Sequence, residues 1–321
     1  MKITVIGCGR WGSFLANYLD SVGHDVTLYG RESSRHMQEL LKTRRNPLMT
    51  LRDTVKLSTV LDGDLLSCDV LLVSVASQAL RTVLADVRTK GYDKGTLVLC
   101  MKGLEIESGK RLSVIAREEL GEGVKIAVWI GPGHVQEFSA GIPNCMVIDS
   151  EDEATKKRLV EEFASPLIRF YYGEDLIGNE IGAAAKNVIG IAAGFLDGAG
   201  LSTLKGALMS RGTREIARLI TALGGNELSA YGLCHLGDYE ATVFSAYSHN
   251  RRFGEAFVRG EPFADGLAEG YYTVRALMKL SEDTGVELPI CQTVEDVLYH
   301  GLSPDEALAR LFGRSLKREL S

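Results

Sequence analysis

The chain has 321 residues, of which 45% are hydrophobic and 24% are charged, a composition that excludes a disordered or fibrous protein and can bury a large core. At roughly 100–200 residues per domain, this length predicts about two domains. The net charge of −6 provides no overall positive field, so we expect no nucleic-acid partner, and any anionic ligand would need a local site. No run approaches the roughly 18 uncharged apolar residues of a spanning helix, so the sequence predicts no membrane span.

The N-terminus and the cysteines indicate the compartment. The chain reaches Gly7 and Gly9 too early for the apolar core and cleavage site of a secretory signal. Its six cysteines are scattered without a CxxC pair, as is typical of reduced thiols in a cytoplasm. We therefore expect a cytoplasmic protein.

The first half of the chain alternates short apolar runs with amphipathic segments. From about Trp11 to Val22 the apolar residues fall on one face of a helix. Such alternation predicts βαβ units and a mostly parallel sheet covered by helices. The runs that we expect to be buried strands are Ile3–Ile6, Val26–Tyr29, Val70–Val75, Thr96–Cys100, Ile126–Ile130 and Cys145–Ile148.

After about residue 175 the pattern becomes helical. Gly182–Gly194 is apolar nearly all round, and its small residues permit close helix packing. A second helix ends at a Gly-Gly pair at 224–225, and the residues at 303–306 form a capping box with proline at the first helical position. We predict an α/β Rossmann-like dinucleotide-binding domain over residues 1–178, followed by an all-α C-terminal domain over residues 179–321. No Pro/Ser-rich linker separates the halves, so we expect them to pack tightly.

A glycine-rich turn follows the first predicted strand. The run Gly7-Cys8-Gly9-Arg10-Trp11-Gly12 has the G-x-G-x-x-G spacing, in which successive glycines allow a tight turn, close approach to a pyrophosphate and close packing of helix on strand. The helix that begins there offers free N–H groups to an anion. With an apolar strand before it and an amphipathic helix after it, the motif predicts dinucleotide binding, with Gly7, Gly9, Arg10, Trp11 and Gly12 in the cofactor site.

The residues after the second strand bear on the choice of cofactor. Arg31 occupies the place where NAD-selective sites commonly carry an acidic residue, and a guanidinium there can meet the 2′-phosphate of NADP. The alternative is that Arg31 and Arg35 are solvated charges and that Glu32 takes the ribose. We expect NADP or NAD as cofactor, with NADPH favoured.

Two lysines stand out as candidates for catalysis. Lys186 lies in a helix of apolar residues, where an uncompensated ammonium would be costly to bury. It either projects into an interdomain cleft with a lowered pKa or extends to solvent from the helix rim. Lys102 directly follows the strand Thr96–Cys100, at the strand end where ligands bind in open α/β sheets, although it could also be an exposed loop lysine.

Two later segments also carry polar groups of interest. Asp238 follows a glycine, and it either caps a helix or orients a catalytic lysine. Ser248–Gly254 gathers hydroxyl, imidazole, amide and guanidinium groups, a set that suits phosphate, although a charged surface turn is the alternative. We find no Ser/His/Asp set, metal-ligand cluster or Walker loop, and predict no metal.

From end to end the chain resembles the NAD(P)-dependent glycerol-3-phosphate dehydrogenases of bacteria. The lysine-asparagine helix and the Lys-Gly-Leu-Glu turn carry more of this similarity than the glycine motif. The segments that carry the resemblance are Gly7–Gly12, Lys102–Glu105, Gly131-Pro132, Gly182–Val188, Leu236–Asp238, Asn250–Gly254 and Glu269–Tyr271.

The resemblance implies a helical domain of the 6-phosphogluconate-dehydrogenase type, a homodimer, and reversible reduction of dihydroxyacetone phosphate, a small phosphorylated substrate, to sn-glycerol 3-phosphate for phospholipid synthesis. It implies that Lys186 is the proton donor and acceptor, and that Lys102 contacts both substrate and nicotinamide. The residues that would hold the substrate, besides the two lysines, are Gly131, Gly133, Asp238, Ser248, His249 and Asn250. The further residues that would line the cofactor are Val135, His249, Leu267 and Glu269.

Three departures from the family pattern bear on the identity of the substrate more than on the fold or the cofactor. Gly133 stands where the family usually has Ser or Thr, and His249 stands where it has an arginine expected to touch cofactor and substrate phosphates. Ala76-Ser77 replaces the usual Pro-Ser. One alternative is a related two-domain reductase for another keto substrate, as the ketopantoate reductases are. The other is a dinucleotide-binding sensor that does not turn over.

Overall fold

The computed structural model describes residues 1–264, 266, 268–315 and 318, and it has an α/β part followed by a helical part. The strands are β1 (Lys2–Ile6), β2 (Asp25–Tyr29), β3 (Arg45–Asn46), β4 (Met49–Thr50), β5 (Lys56–Ser58), β6 (Val70–Val73), β7 (Gly95–Leu99), β8 (Val124–Ile130), β9 (Asn144–Ser150) and β10 (Ile168–Tyr172). The helices of the first part are α1 (Arg10–Ser21), α2 (Arg35–Thr43), α3 (Gly63–Leu66), α4 (Leu80–Thr89), α5 (Leu112–Leu120), α6 (Val135–Ser139) and α7 (Glu153–Phe163). The helices of the second part are α8 (Leu176–Gly198), α9 (Lys205–Ala222), α10 (His249–Arg259), α11 (Glu269–Thr284), α12 (Pro289–Tyr299) and α13 (Pro304–Phe312).

One eight-stranded sheet organises the first part, in the order β10-β9-β8-β7-β6-β1-β2-β5, and β3 and β4 form a separate hairpin. Neighbouring strands are parallel except β8 and β9, which are antiparallel. The chain leaves β1 toward β2 on one side and later returns to β6 on the other side, so the strand order reverses at β1. In an open α/β sheet, ligands bind at the carboxyl ends of the strands beside such a reversal.

The sheet is buried on both faces because its strands are runs of Val, Ile and Leu. Val5 belongs to one apolar cluster and the next residue, Ile6, belongs to another, as expected when successive side chains point to opposite faces. A third cluster forms the core of the helical part. Helices therefore cover both faces, and the predicted α/β class followed by an all-α domain is confirmed.

Helix α8 joins the two parts. Its residues from Gly178 to Phe195 are buried, and Ala183 packs in a sheet cluster whereas the adjacent Ala184 packs in the helical core. Its small residues let α10 cross closely: a Cβ on Gly194 would lie 2.0 Å from the carbonyl oxygen of Arg251. Helix α8 is thus held on all sides, which fixes the residues along it.

The structure differs from the sequence expectations in several details. Helix α1 begins at Arg10 and ends at Ser21, one residue earlier at each end than predicted. The strand predicted over Val70–Val75 corresponds to β6, which ends at Val73. Strands β3, β4, β5 and β10 were not predicted, and neither was the reversed direction of β9. β5 has three residues, and β10 exposes three of its five, so neither shows the apolar run of a buried strand. The domain boundary at 178/179 falls inside α8 and stays a prediction.

In the second part, no strand lies among the described residues after Tyr172. The capping box at 303–306 is present, with the Ser303 hydroxyl accepting from the Glu306 amide and the Glu306 carboxylate accepting from the Ser303 amide. Within the described residues, no helix is both long enough and apolar enough to span a membrane.

Candidate active site

A cleft of about 1220 Å³ lies between the carboxyl edge of the sheet and the helical part. It brings together segments that lie far apart in the sequence, from the glycine turn after β1 to the first residue of α11. The predicted site residues that line it are Gly7, Gly9, Arg10, Trp11, Gly12, Arg31, Lys102, Gly133, Val135, Lys186, Ser248, His249, Asn250 and Glu269. Asp238 and Gly131 do not line it but contact Lys102, and Leu267 lies outside the described residues.

The glycine turn has the close geometry that the motif requires. Gly7 has a φ of 113°, and a Cβ there would lie 2.1 Å from the carbonyl oxygen of Ser74. A Cβ on Gly12 would lie 1.8 Å from the carbonyl oxygen of Gly7, so only glycine lets α1 pack against β1. Nothing lies within 4 Å of a Cβ built on Gly9. The turn therefore leaves open space in front of the N-terminus of α1, where free N–H groups attract phosphate.

The second strand ends at the far corner of the same cleft. Arg31 follows β2 after one residue, is exposed, and lines the cleft together with Ser34 and His36. Glu32, the alternative ribose partner, is exposed and does not line the cleft. Sequence reasoning did not single out Ser34 or His36, because a serine and a histidine at the start of a surface helix carry no distinctive pattern.

Two lysines share one buried carboxylate beneath the cleft. Lys102 Nζ lies 2.7 Å from Asp238 Oδ2, and Lys186 Nζ lies 3.1 Å from the same oxygen. Asp238 and Lys186 are 1% and 8% exposed, and Lys102 follows the carboxyl end of β7. Within the described residues, the other oxygen, Asp238 Oδ1, is buried without a hydrogen-bond partner. The cluster therefore holds two ammonium groups and leaves one carboxylate oxygen for a further donor.

Asp238 does not cap a helix. It ends a short 3-10 turn, Leu236–Asp238, and a π-helical turn, Glu240–Phe244, follows. Thr242 on that turn accepts a hydrogen bond from Lys186 Nζ at 2.7 Å and donates one to the Asp238 carbonyl at 2.7 Å. Sequence reasoning missed Thr242. The only signal was its spacing, four residues after Asp238, which places the two side by side on a helical turn.

The surroundings of Lys186 change its acidity. Burial, the largest cause, lowers the pKa of Lys186 from its ordinary 10.5 to about 8. The negative charge of Asp238 raises this pKa and the positive charge of Lys102 lowers it. With a pKa near 8, Lys186 can donate a proton as the ammonium and accept one as the neutral amine close to neutral pH.

Asparagines connect the lysine cluster to α10 and α11. Asn187 Nδ2 donates to the carbonyl of Lys102 at 2.9 Å, and Asn187 Oδ1 accepts from Asn250 Nδ2 at 3.0 Å. Asn250 Oδ1 in turn accepts from the backbone amide of Gly270 at 2.9 Å. Each asparagine thus has its oxygen and one amide hydrogen bonded to protein groups, and together they fix Lys102 relative to the helices.

The turn after β8 contributes backbone groups rather than a hydroxyl. The Gly131 carbonyl accepts from Lys102 Nζ. Gly133 has a φ of 136°, and a Cβ there would lie 2.4 Å from the ring of Phe138. The structure thus accounts for glycine at a position where the resemblance expects Ser or Thr. Val135 follows as the first residue of α6 and is buried at the cleft wall.

His134, which the sequence did not single out, links the two parts of the chain across the cleft. Its Nε2 lies 2.7 Å from the carbonyl oxygen of Ala241, and its ring packs edge-on against Tyr247. Burial, the largest cause, lowers the pKa of His134 to about 4, so the ring is neutral near neutral pH. A neutral imidazole that donates from Nε2 to a carbonyl holds the turn after β8 against the turn after Asp238.

The start of α10 faces the glycine turn. Ser248 is the N-cap of this helix, and its hydroxyl accepts from the Arg251 amide at 3.3 Å. His249 Nε2 lies 2.5 Å from Nη2 of Arg10, on the opposite side of the cleft. The alternative of a charged surface turn is therefore wrong, because residues 249–259 form a helix whose first turn lines the cleft.

Glu269, the first residue of α11, places a buried carboxylate at the cleft. Its Oε1 accepts from the Ser77 amide at 3.3 Å, and burial raises the pKa of the carboxyl above its ordinary range. Glu269 Oε2 and Ser77 Oγ are both buried, and the Ser77 side chain partly offsets the rise in the pKa of the Glu269 carboxyl. The two side chains thus form one buried polar spot that can meet a polar ligand group.

Two further buried side chains lie on either side of Asp238. His235 Nδ1 lies 2.9 Å from the carbonyl oxygen of Gly182, and His235 Nε2 lies 2.7 Å from the Tyr239 hydroxyl. Burial, the largest cause, lowers the pKa of His235 to about 4. A neutral ring that donates from Nδ1 and accepts at Nε2 ties the Asp238 turn to α8, four residues before Lys186.

One group of described residues outside the cleft has ligand atoms close enough to share a metal ion: Glu295, Asp296 and His300, at the end of α12. Asp296 is already paired with Arg310 and accepts from Gln292. These contacts describe a surface ion pair, and nothing in them points to a metal.

Comparisons with known proteins agree with this architecture. Residues 2–156 match the family model of the NAD-dependent glycerol-3-phosphate dehydrogenase N-terminus, and residues 175–309 match the model of its C-terminus. The chain is 36% identical over 334 aligned positions to a curated protein of Prosthecochloris aestuarii named glycerol-3-phosphate dehydrogenase, NAD(P)+, with 100% of each chain covered.

Solved structures give the same picture. The crystal structure of glycerol-3-phosphate dehydrogenase from Coxiella burnetii superposes with a TM-score of 0.91 at 30% identity, covering 98% of this chain and 99% of that one. A ketopantoate reductase from Ralstonia eutropha superposes with a TM-score of 0.64 at 15% identity, covering 96% and 100%. The latter similarity concerns the fold alone.

Proposed function

The chain belongs to the NAD-dependent glycerol-3-phosphate dehydrogenase family, and from this premise we propose that it reduces dihydroxyacetone phosphate reversibly to sn-glycerol 3-phosphate, with Lys186 as proton donor and acceptor. It is an NAD(P)-dependent oxidoreductase that acts on CH–OH groups. The single observation that carries the assignment of Lys186 is the shared carboxylate. Asp238 Oδ2 lies within 3.1 Å of Lys186 Nζ and within 2.7 Å of Lys102 Nζ, beneath a cleft that both lysines line.

The residues at the cleft fit a nicotinamide dinucleotide. Gly7 and Gly12 let strand, turn and helix pack closely, and the open space at Gly9 leaves room for a pyrophosphate at the N-terminus of α1. At the other end, the buried Glu269 Oε2 and Ser77 Oγ can accept from and donate to a ligand amide. When bound, the nicotinamide supplies the hydride to the carbonyl carbon or accepts it in the reverse direction. NADPH is the favoured cofactor because exposed Arg31 lines the ribose corner of the cleft and can pair with a 2′-phosphate.

The lysine cluster supplies the proton and the charge. Lys186 Nζ donates its proton to the oxygen of the substrate carbonyl as that oxygen becomes an alkoxide, and it takes the proton back in the reverse direction. Lys102 keeps its positive charge beside the same oxygen and lowers the energy of the developing negative charge. Its Nζ is fixed for this by the Gly131 carbonyl and by Asp238 Oδ2.

Asp238 and Thr242 hold the donor in position. The Asp238 carboxylate offsets part of the cost of burying the ammonium of Lys186, while Thr242 Oγ1 accepts a second of its protons at 2.7 Å. We assign Ser248 and the first turn of α10 to the substrate phosphate, since both line the cleft.

Turnover with a panel of substrates tests this function. Purified protein is mixed with NADPH or NADH, and the nicotinamide absorbance is followed after addition of dihydroxyacetone phosphate, of dihydroxyacetone, and of ketopantoate. We expect oxidation with dihydroxyacetone phosphate only, and sn-glycerol 3-phosphate as the product. Oxidation with ketopantoate alone would favour the related two-domain reductase, and cofactor binding without turnover would favour a sensor.

Several further properties are part of the proposal. We propose a cytoplasmic homodimer with no nucleic-acid partner, whose product supplies phospholipid synthesis. Six free cysteines without a disulfide are consistent with a reducing compartment. Size-exclusion chromatography with light scattering measures the mass directly, and a monomeric mass of 34.9 kDa at working concentration would contradict the dimer.

A further inference from the structure

One hydrogen bond crosses the cleft at the entrance to the glycine turn. Arg10, the first residue of α1, and His249, the first residue of α10, belong to different parts of the chain and are 239 residues apart in sequence. Arg10 Nη2 lies 2.5 Å from His249 Nε2, and both residues line the cleft. The pair therefore faces whatever occupies the space between the glycine turn and α10.

The chemistry of the two groups fixes the direction of this hydrogen bond. A guanidinium has donors only and stays protonated at any working pH, so His249 Nε2 is the acceptor. An imidazole that accepts at Nε2 carries its proton on Nδ1 and is neutral. Of these two groups, Arg10 therefore carries the positive charge, and the contact with His249 helps to fix the position of its guanidinium.

The position of Arg10 on its helix also points to an anionic ligand. The first turn of a helix is the positive end of its dipole, where a cation is unfavourable, and α1 has no acidic residue in that turn. A phosphate bound in front of the turn would attract both the positive helix end and the guanidinium, so the position of Arg10 becomes favourable when an anion is bound. The open space above Gly9 leaves room for such a group beside Arg10.

Neither Arg251 nor Arg252, the other arginines in the first turn of α10, lines the cleft. Nη1 of Arg251 is held by Asp197 at 2.8 Å and by Glu255 at 2.9 Å. Reaching the cleft would require Arg251 to give up two charge-assisted hydrogen bonds. Arg10 is already in the cleft.

We propose that Arg10 supplies the guanidinium that binds phosphate between the two parts of the chain, and that His249 positions it from the opposite side. The resemblance implies that an arginine at position 249 would bind this phosphate. Here the guanidinium comes from Arg10 on the glycine turn instead of from the helical part. The proposal rests on the proposed function, because the phosphate is either the pyrophosphate of the cofactor or the phosphate of the substrate.

A charge-swap experiment tests the proposal. Four variants are compared with the parent: Arg10→Ala, His249→Arg, the double variant with both changes, and Arg259→Ala as control. Arg259 is an exposed arginine on α10, paired with Glu255 and outside the cleft. The dissociation constant of NADPH is measured by fluorescence titration without substrate, and KM for dihydroxyacetone phosphate is measured at saturating NADPH.

Arg10→Ala should weaken one of the two ligands by roughly tenfold to a hundredfold, the usual effect of losing a charge-assisted hydrogen bond. Loss in the NADPH titration identifies the pyrophosphate as the partner, and loss in KM identifies the substrate phosphate. His249→Arg alone should not improve binding, because it places two guanidinium groups together. The double variant should recover binding to within about threefold of the parent, since one guanidinium is restored. The control should match the parent.

Arg10→Ala within twofold of the parent for both ligands would overturn the proposal. A double variant that binds the affected ligand no better than Arg10→Ala would overturn it as well, since the guanidinium at position 249 would then not replace the one at position 10. These outcomes are separate from a failure of the proposed function. A parent that binds NADPH without reducing dihydroxyacetone phosphate would contradict the function, while the NADPH titration of Arg10→Ala would still test the contact with the cofactor pyrophosphate.

Discussion

Replacing Asp238 by Asn removes the negative charge that Lys102 and Lys186 share and keeps nearly the same side-chain volume. Asp238 raises the pKa of Lys186, which burial has lowered to about 8, so the Asn variant should have a Lys186 that loses its proton at lower pH. Reduction of the ketone needs the protonated form. The decline of kcat/KM on the alkaline side should therefore move toward acid in the variant.

The size of this shift follows from the geometry. Across the 3.1 Å between Lys186 Nζ and Asp238 Oδ2, Coulomb's law at an effective dielectric constant of about 20 gives roughly 5 kcal/mol. This is an upper limit, because Lys102 shares the carboxylate and the cleft admits water. A charge-assisted hydrogen bond contributes about 1.5–3 kcal/mol, which corresponds to a shift of roughly one to two pH units. We expect the alkaline midpoint near pH 8 in the parent and one to two units lower in Asp238→Asn.

The assay is kcat/KM for dihydroxyacetone phosphate from pH 5.5 to 9.5, read as the ratio of variant to parent at each pH so that titration of the substrate cancels. Glu240→Gln is the matched control, because it removes an exposed carboxylate two residues away. Thermal unfolding checks that each variant is folded. An alkaline midpoint that stays in place, or moves toward higher pH, would refute the assignment of Asp238 as the group that keeps Lys186 protonated.

Three other predictions concern the cofactor, the turn after β8 and the helical core. Arg31→Asp should weaken the binding of NADPH about tenfold more than that of NADH, because repulsion replaces attraction at the 2′-phosphate. Equal losses of affinity in fluorescence titrations would show that Arg31 does not contact the 2′-phosphate. Gly133→Ser should destabilise the protein by about 1–3 kcal/mol in urea unfolding, because its Cβ would meet the Phe138 ring at 2.4 Å with φ at 136°, and an unchanged midpoint would contradict this. Glu215 is buried on α9, and burial raises the pKa of its carboxyl from the ordinary 4.5 to about 7. Between these two pH values the folded state binds more protons than the unfolded state. The free energy of unfolding therefore falls as pH rises through this window. Glu215→Gln should lack this fall, so its stability relative to the parent should rise by about 3 kcal/mol between pH 4.5 and 7, and parallel pH curves would count against the raised pKa.

Local pattern was enough to predict the α/β half and the helical half. Buried parallel strands are continuous apolar runs, and β1, β6 and β7 show this directly in the sequence. The antiparallel direction of β9 could not be predicted, because it depends on how the chain returns across the sheet and not on the composition of the strand. Strand β5, with three residues, is too short for alternation to be visible.

The site shows the same division between local and long-range information. Lys186 could be singled out because a charge in an apolar helix needs a compensating partner, and the structure provides Asp238 and Thr242. The partners of Lys186 could not be derived from spacing, since Lys186 and Thr242 are 56 residues apart. The resemblance placed His249 among the residues that would hold the substrate and the cofactor. The structure gives it Arg10 as a donor, a pairing that only the folded arrangement of the two helices reveals.

Comparison of the parent with Lys186→Met tests the central claim most directly, namely that Lys186 is the proton donor in the reduction of dihydroxyacetone phosphate. Methionine is close to lysine in volume, so α8 should keep its packing, and a positioned acid or base contributes about 10²–10⁴-fold to the rate. Lys279→Met, at a half-buried lysine paired with Asp283 on α11, is the matched control. We predict that Lys186→Met binds NADPH as the parent does and loses at least about a hundredfold in kcat, while the control keeps full activity. Turnover of Lys186→Met within about threefold of the parent would contradict the account.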